Sequence, residues 1–163
     1  MSKNKPSSID KATVTTGQVE DTIEFAVMTE IGIINQLAQN MFQARMPDDM
    51  TVAQFTVLNH LLRLDVQQTI SELASAIQVT QPTMSSTVRK LEDKGLVTLE
   101  HDPDDRRTRR VRPTPAGIAM RKTATDQLAP MIEQVRADMP LTVWQKILPE
   151  LSRIRKYLDE ARD

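Results

Sequence analysis

Five arginines crowd into seven positions: Arg106, Arg107, Arg109, Arg110 and Arg112. Guanidinium groups so concentrated attract polyanions, and each can donate paired hydrogen bonds to a phosphate or a base edge. A charge run by itself is more often a solvated face, so its meaning depends on its neighbours. Just upstream, Gln81 to Lys94 is amphipathic. At about 100° per residue, Met84, Val88 and Leu91 share one side, while Pro82, Thr83, Ser86, Arg89, Lys90 and Asp93 fall on or near the other. Hydroxyls and cations of this kind donate to phosphates. Arg89 has the fork that bridges guanine O6 and N7, and Gln81 the amide that pairs with adenine.

Other chemistries find little support. Cysteine is absent, which removes disulfides, thiol nucleophiles, thiol redox sensing and cysteine zinc sites. The only histidines are His60 and His101. His60 reads as a polar edge residue rather than a ligand. His101, Asp102, Asp104 and Asp105 lack the glycine and distal glutamate of a calcium loop, so a turn with arginine pairing is the better reading. No nucleophile–base pair and no glycine-rich phosphate loop stands out, so neither an enzyme, a metal nor a cofactor is expected. No apolar run reaches membrane-span length, and the polar start is not a signal peptide; the expected location is cytoplasmic.

The formal net charge of −1 hides three blocks. Residues 1–65 hold five basic and eight acidic side chains, residues 66–122 ten and seven, and residues 123–163 six and seven. The middle block alone is positive, and it contains both features described above.

The elements that must position them follow from spacing. Residues 1–19 read as a flexible tail. Ile23, Val27, Ile31, Ile34, Ala38 and Met41 trace a helix face from about Glu20 to Arg45, with Leu37 and Phe42 widening it. Met28, Met41 and Met46 read as gap fillers. Thr51-Val52-Ala53-Gln54, Thr69-Ile70-Ser71-Glu72 and Thr142-Val143-Trp144-Gln145 have the spacing of capping boxes. Thr80 is placed to cap the amphipathic helix, Pro82 suits its first turn, and Gly95 sits where a left-handed residue stops it. Leu96 to His101 and Arg107 to Arg112 read as a hairpin around Asp102-Pro103-Asp104-Asp105. Thr114-Pro115 opens a long helix expected to present Ile118, Leu128, Ile132, Val135 and Met139 and to kink at Pro130. A last helix follows, which Pro149 is expected to bend or split. Helix, short turn, helix, then hairpin is a winged helix-turn-helix.

The sequence also resembles a known family. Thr69-Ile70-Ser71-Glu72-Leu73-Ala74, Thr80 to Val88, Leu91 to Val97, Asp102 to Arg107 and Thr114-Pro115-Ala116-Gly117 look like the MarR family of transcription regulators. The likeness covers roughly residues 20–160. It implies that Gln81 to Lys94 is the recognition helix. It further implies that Asp105 orients Arg107, which enters the minor groove. Pro113 departs from the family's usual Leu, removing a backbone donor and loosening the junction to the long helix. The resemblance also implies a homodimer built from the first and last two helices, and a small, often aromatic, effector bound between dimer base and DNA-binding lobe.

The expected fold is therefore mainly α with a small β-hairpin wing. Residues 20–163 form one domain: 20–46 and 114–163 are the helical dimerisation region, and 47–113 the winged helix-turn-helix lobe. The expected DNA-binding residues are Gln81, Pro82, Thr83, Ser85, Ser86, Arg89, Lys90, Arg106, Arg107 and Arg109. Arg110 and Arg112 are left open, because strand neighbours alternate faces and Arg112 equally suits a structural salt bridge. The expected function is a sequence-specific regulator of double-stranded DNA with a pseudo-palindromic operator, a repressor released by a small lipophilic or aromatic ligand whose binding residues are not legible. The alternative is a winged-helix protein-interaction module that does not bind DNA.

Overall fold

The computed structural model describes residues 19, 22–47, 49–102, 105 and 107–161. Among them are six helices and three strands. Helix α1 (Ile23–Gln43) has no buried residue, and Ile23, Ile34 and Leu37 stand well exposed along it.

Residues from Phe42 onward form a compact unit. Helix α2 (Val52–Leu64) begins with the expected capping box. The Thr51 hydroxyl accepts the Gln54 N–H at 3.2 Å, and Gln54 Oε1 accepts the Thr51 N–H at 3.1 Å. It ends at Asp65 in the left-handed region. The Gln43 side chain steadies the approach, donating to the Met50 carbonyl and accepting from the Val52 N–H. Helix α3 (Ile70–Ile77) starts with the second capping box, Thr69 with Glu72. Helix α4 (Gln81–Asp93) is capped by Thr80 and carries Pro82 in its first turn. Gly95, at φ +67°, provides the left-handed residue that turns the chain out of it.

Strands β2 (Val97–His101) and β3 (Arg109–Pro113) form the expected hairpin, with Leu99 opposite Val111. A third strand, β1 (Gln68–Thr69), pairs with β3 on its other side, giving the antiparallel order β1-β3-β2. Sequence spacing did not predict β1. Two residues carry no periodicity, and their pairing is decided by a partner about forty positions away.

The core is formed where α2, α3, α4 and the sheet meet. Leu58, Leu61, Leu73, Met84, Val88, Leu91, Val97 and Val111 are almost wholly buried. Burial of this kind contributes roughly 25 cal/mol per Å² of apolar surface removed from water, and it dominates the stability of the lobe.

Helix α5 (Pro115–Asp138) buries a stripe that shares only Leu128 with the apolar face traced by spacing. Its buried stripe is Gly117, Ala124, Leu128 and Met131, while Ile118 and Ile132 are exposed. The small residues win because they let the helix axis come close to the lobe: a Cβ on Gly117 would overlap the Leu96 carbonyl oxygen. Pro130 and Pro149 both lie inside helices that continue past them, α5 and α6 (Leu141–Glu160), so Pro149 does not split α6. The third capping box is not formed. Pro140 is the N-cap of α6, without a side-chain cap bond, and Val143 N–H already bonds the Pro140 carbonyl at 3.0 Å. The helix therefore opens before Thr142 can serve as its cap.

Pro113 does remove a donor, but the junction is fastened one residue later. Thr114 donates its backbone N–H to the Leu96 carbonyl at 3.1 Å and its hydroxyl to the Gly95 carbonyl at 2.7 Å. No helix among the described residues is long and apolar enough to cross a membrane.

Candidate nucleic-acid interface

The local order of α3, a three-residue turn and α4 creates a rod with two unlike sides. Met84, Val88 and Leu91 are buried against the lobe. Gln81, Pro82, Thr83, Ser86, Arg89 and Lys90 are exposed, and Ser85 is half-buried. Thr83 is engaged at the helix start, where its hydroxyl meets that of Thr80 at 2.8 Å. No ion pair or side-chain hydrogen bond among the described residues engages Gln81, Ser86, Arg89 or Lys90. Two cations and two neutral hydrogen-bonding groups thus stand on this helix unspent.

Lys94 is held differently. Its ammonium donates to the Asp49 carbonyl, pairs with the Asp49 carboxylate at 3.3 Å and reaches Gln54 Oε1. It ties the end of α4 to the start of α2 and is a fixture of the lobe.

The arginine run divides by what each guanidinium touches. Arg107 projects almost wholly into solvent, its side chain 96% exposed. Asp105 shapes its backbone: one carboxylate oxygen accepts the Arg107 N–H at 2.9 Å and lies 3.7 Å from the guanidinium Nε. The other accepts the Thr108 hydroxyl at 3.0 Å. Both described aspartates of the acidic segment are thus paired with arginine, since Asp102 pairs with Arg110. Arg109 is exposed and donates one N–H to the Leu99 carbonyl at 3.0 Å, leaving most of its donors unspent. Arg112 pairs with Glu100 at 3.0 Å and donates to Gln67 Oε1 at 2.9 Å, which is a structural salt bridge. Arg106 lies outside the described residues, as do Pro103 and Asp104.

Residues that sequence reasoning passed over also organise the site. Gln67 and Glu72 receive the inward-turned arginines from about forty positions away in the chain, and join Asp102, whose arginine pairing was expected. The capping role of Glu72 is the sequence signal it carries, and it concerns another duty. Arg121 of α5 donates through both Nε and Nη2 to Asn59 Oδ1 of α2, at 3.2 and 3.0 Å. His60 shares a 2.8 Å hydrogen bond with Gln68 Oε1, as a polar edge residue does.

A helix pair with one exposed polar face, followed by a β-hairpin whose turn carries a solvent-exposed arginine, defines the winged helix-turn-helix class. The sequence model of the MarR family matches residues 48–108, the winged-helix segment. The fold extends beyond it. The transcriptional regulator BldR of Sulfolobus solfataricus is 24% identical over 87% of this chain and 99% of its own, with a TM-score of 0.75. Bordetella bronchiseptica BpsR, whose DNA binding is regulated by 6-hydroxynicotinic acid, is 24% identical over 80% and 98%, with a TM-score of 0.69. The Streptomyces coelicolor regulator PcaV, solved with its natural ligand, is 17% identical over 89% and 97%, with a TM-score of 0.68. The chain thus has the fold of the MarR-family transcriptional regulators.

Proposed function

We propose that this protein is a sequence-specific regulator that binds double-stranded DNA as a homodimer. The observation that carries the reading is the division of α4: its apolar side is sealed in the core, while Gln81, Arg89 and Lys90 face solvent without internal partners. Side chains of this type on a rod of helix width suit the major groove. Gln81, Pro82, Thr83, Ser85 and Ser86 form the leading end, with Arg89 and Lys90 behind. Arg107, presented by Asp105, suits the adjacent minor groove, where negative potential favours a guanidinium. Arg106 and Arg109 add phosphate contacts.

Exposed apolar surface supports the dimer. On α6, Leu141, Trp144, Leu148, Leu151 and Leu158 recur at steps of three, four and seven, and all are exposed. With the exposed apolar residues of α1, this far exceeds the scattered hydrophobes normal on a monomer. A second copy is the occupant proposed, and twofold symmetry then asks for a pseudo-palindromic operator with half-sites about one helical turn apart.

Regulation requires a ligand with different affinity for two spacings of the lobes. BpsR responds to an aromatic acid and PcaV binds a natural ligand. By extension, this chain is proposed to be a repressor released by a small lipophilic or aromatic compound. The test is fluorescence anisotropy with duplexes selected by the protein from random DNA, titrated with salt and with candidate ligands. A steep salt slope is expected. Arg89→Ala is expected to weaken binding by about 1–3 kcal/mol and relax preference at one base pair. A flat salt slope, or wild-type behaviour from Arg89→Ala, overturns the assigned interface; a flat slope favours a protein-interaction module instead.

A further inference from the structure

Arg110 stands near the tip end of β3, opposite Glu100 of β2. Its guanidinium reaches in two directions. Nε is ion-paired with the Asp102 carboxylate, which lies at the start of the wing turn and is only 10% exposed. Nη1 donates to the Gln67 carbonyl at 3.1 Å and lies 3.3 Å from Glu72 Oε2. That same Glu72 oxygen accepts the Thr69 N–H at 2.7 Å, the bond that closes the N-terminal capping box of α3. The Asp102 backbone N–H meanwhile bonds the Thr108 carbonyl, closing the turn that contains Asp105 and Arg107. One planar group therefore joins the wing turn to the first turn of α3, and α3 packs directly on α4.

We propose that Arg110 is a positioning residue that sets the Arg107-bearing turn at a fixed distance from α4. The inference rests on the DNA-binding reading for its functional consequence, but not for its geometry. A duplex offers its major and minor grooves at a set spacing, so a wing free to swing presents Arg107 to the wrong depth on most encounters. The fork geometry is what matters. A lysine carries the charge but cannot hold Asp102 on one edge and Gln67 with Glu72 on another.

Two measurements test it. The chain has no cysteine, so spin labels at Arg107→Cys and Lys90→Cys are the only two per protomer. Labelled protein diluted with unlabelled protein then gives the distance from wing turn to α4 by pulsed electron resonance. A narrow distribution is expected in the parent, and a broader one in both Arg110→Gln and Arg110→Lys. The second measurement is a double-mutant cycle on a duplex selected by the parent protein. Arg107→Ala alone is expected to cost about tenfold in affinity, and less than about twofold in the Arg110→Gln background.

If Arg110→Lys keeps both the narrow distribution and the full effect of Arg107→Ala, Arg110 is a simple cationic contact and the proposal fails. If Arg110→Gln lowers only the urea midpoint, leaving distance and coupling unchanged, its role is merely to stabilise the fold and the proposal also fails. If the parent selects no duplex, the DNA-binding reading fails, and the distance measurement still decides the positioning.

Discussion

Gly117→Ala exchanges one hydrogen for a methyl group at a close approach of α5 to the Leu96 backbone. On an ordinary helix this substitution stabilises by about 1 kcal/mol, because alanine loses less backbone freedom on folding. Here the new Cβ would overlap the Leu96 carbonyl oxygen, and would lie 3.1 Å from the Leu96 carbonyl carbon and 3.3 Å from Leu58 Cδ2. Neither backbone nor a fully buried leucine gives way easily. Leu96 is 5% exposed, and its carbonyl already accepts the Thr114 N–H. Overpacking of this kind costs about 1–3 kcal/mol, and opening the Thr114 bond adds about 1. The net expectation is a loss of about 1–3 kcal/mol, which lowers the melting temperature by about 2–4 °C per kcal/mol for a chain of this size.

Urea unfolding followed by helix circular dichroism at fixed protomer concentration measures that loss. Gly32→Ala is the comparator, since a Cβ there meets nothing within 4 Å in the protomer and the position is mid-helix. It is expected to stabilise by up to about 1 kcal/mol. Equal, positive shifts for both variants would falsify the claim that close packing of α5 on the Leu96 carbonyl requires glycine.

Thr80→Ala removes the hydroxyl that accepts the Thr83 N–H at the start of α4. It should cost about 1 kcal/mol in urea unfolding, with Thr80→Ser close to the parent; equal stability of all three would show that the cap contributes nothing. Leu148→Glu changes an exposed residue of α6, 66% accessible in the protomer. Sedimentation should show a shift from dimer toward monomer with helix content retained, and an unchanged dimer mass would place the self-association surface elsewhere.

The helix starts at Thr51, Thr69, Thr80 and Thr114 were legible because a cap involves residues within one turn of each other. The same locality explains the buried stripe of α4 and the left-handed turn at Gly95. It also explains why Thr142 misled: its box has the right spacing, but Pro140 starts the helix first. A local motif is only as good as the backbone that reaches it.

Within the candidate interface, residue types and face were readable, while allegiance was not. Arg107, Arg109, Arg110 and Arg112 look alike in the sequence, yet one reaches solvent, one touches its own hairpin, and two bind the Gln67–Glu72 segment. Those partners lie up to 45 positions away. Likewise the two-residue strand β1 and the glycine–alanine stripe of α5 depend on surfaces that exist only once the lobe has closed. Sequence by itself determined the elements, their caps and the polar face of α4, because these arise from contacts a few residues apart. Tertiary structure alone decided which arginines are spent inside, which face of α5 is covered and which apolar faces stay open, because each is settled by partners that only folding brings within bonding distance.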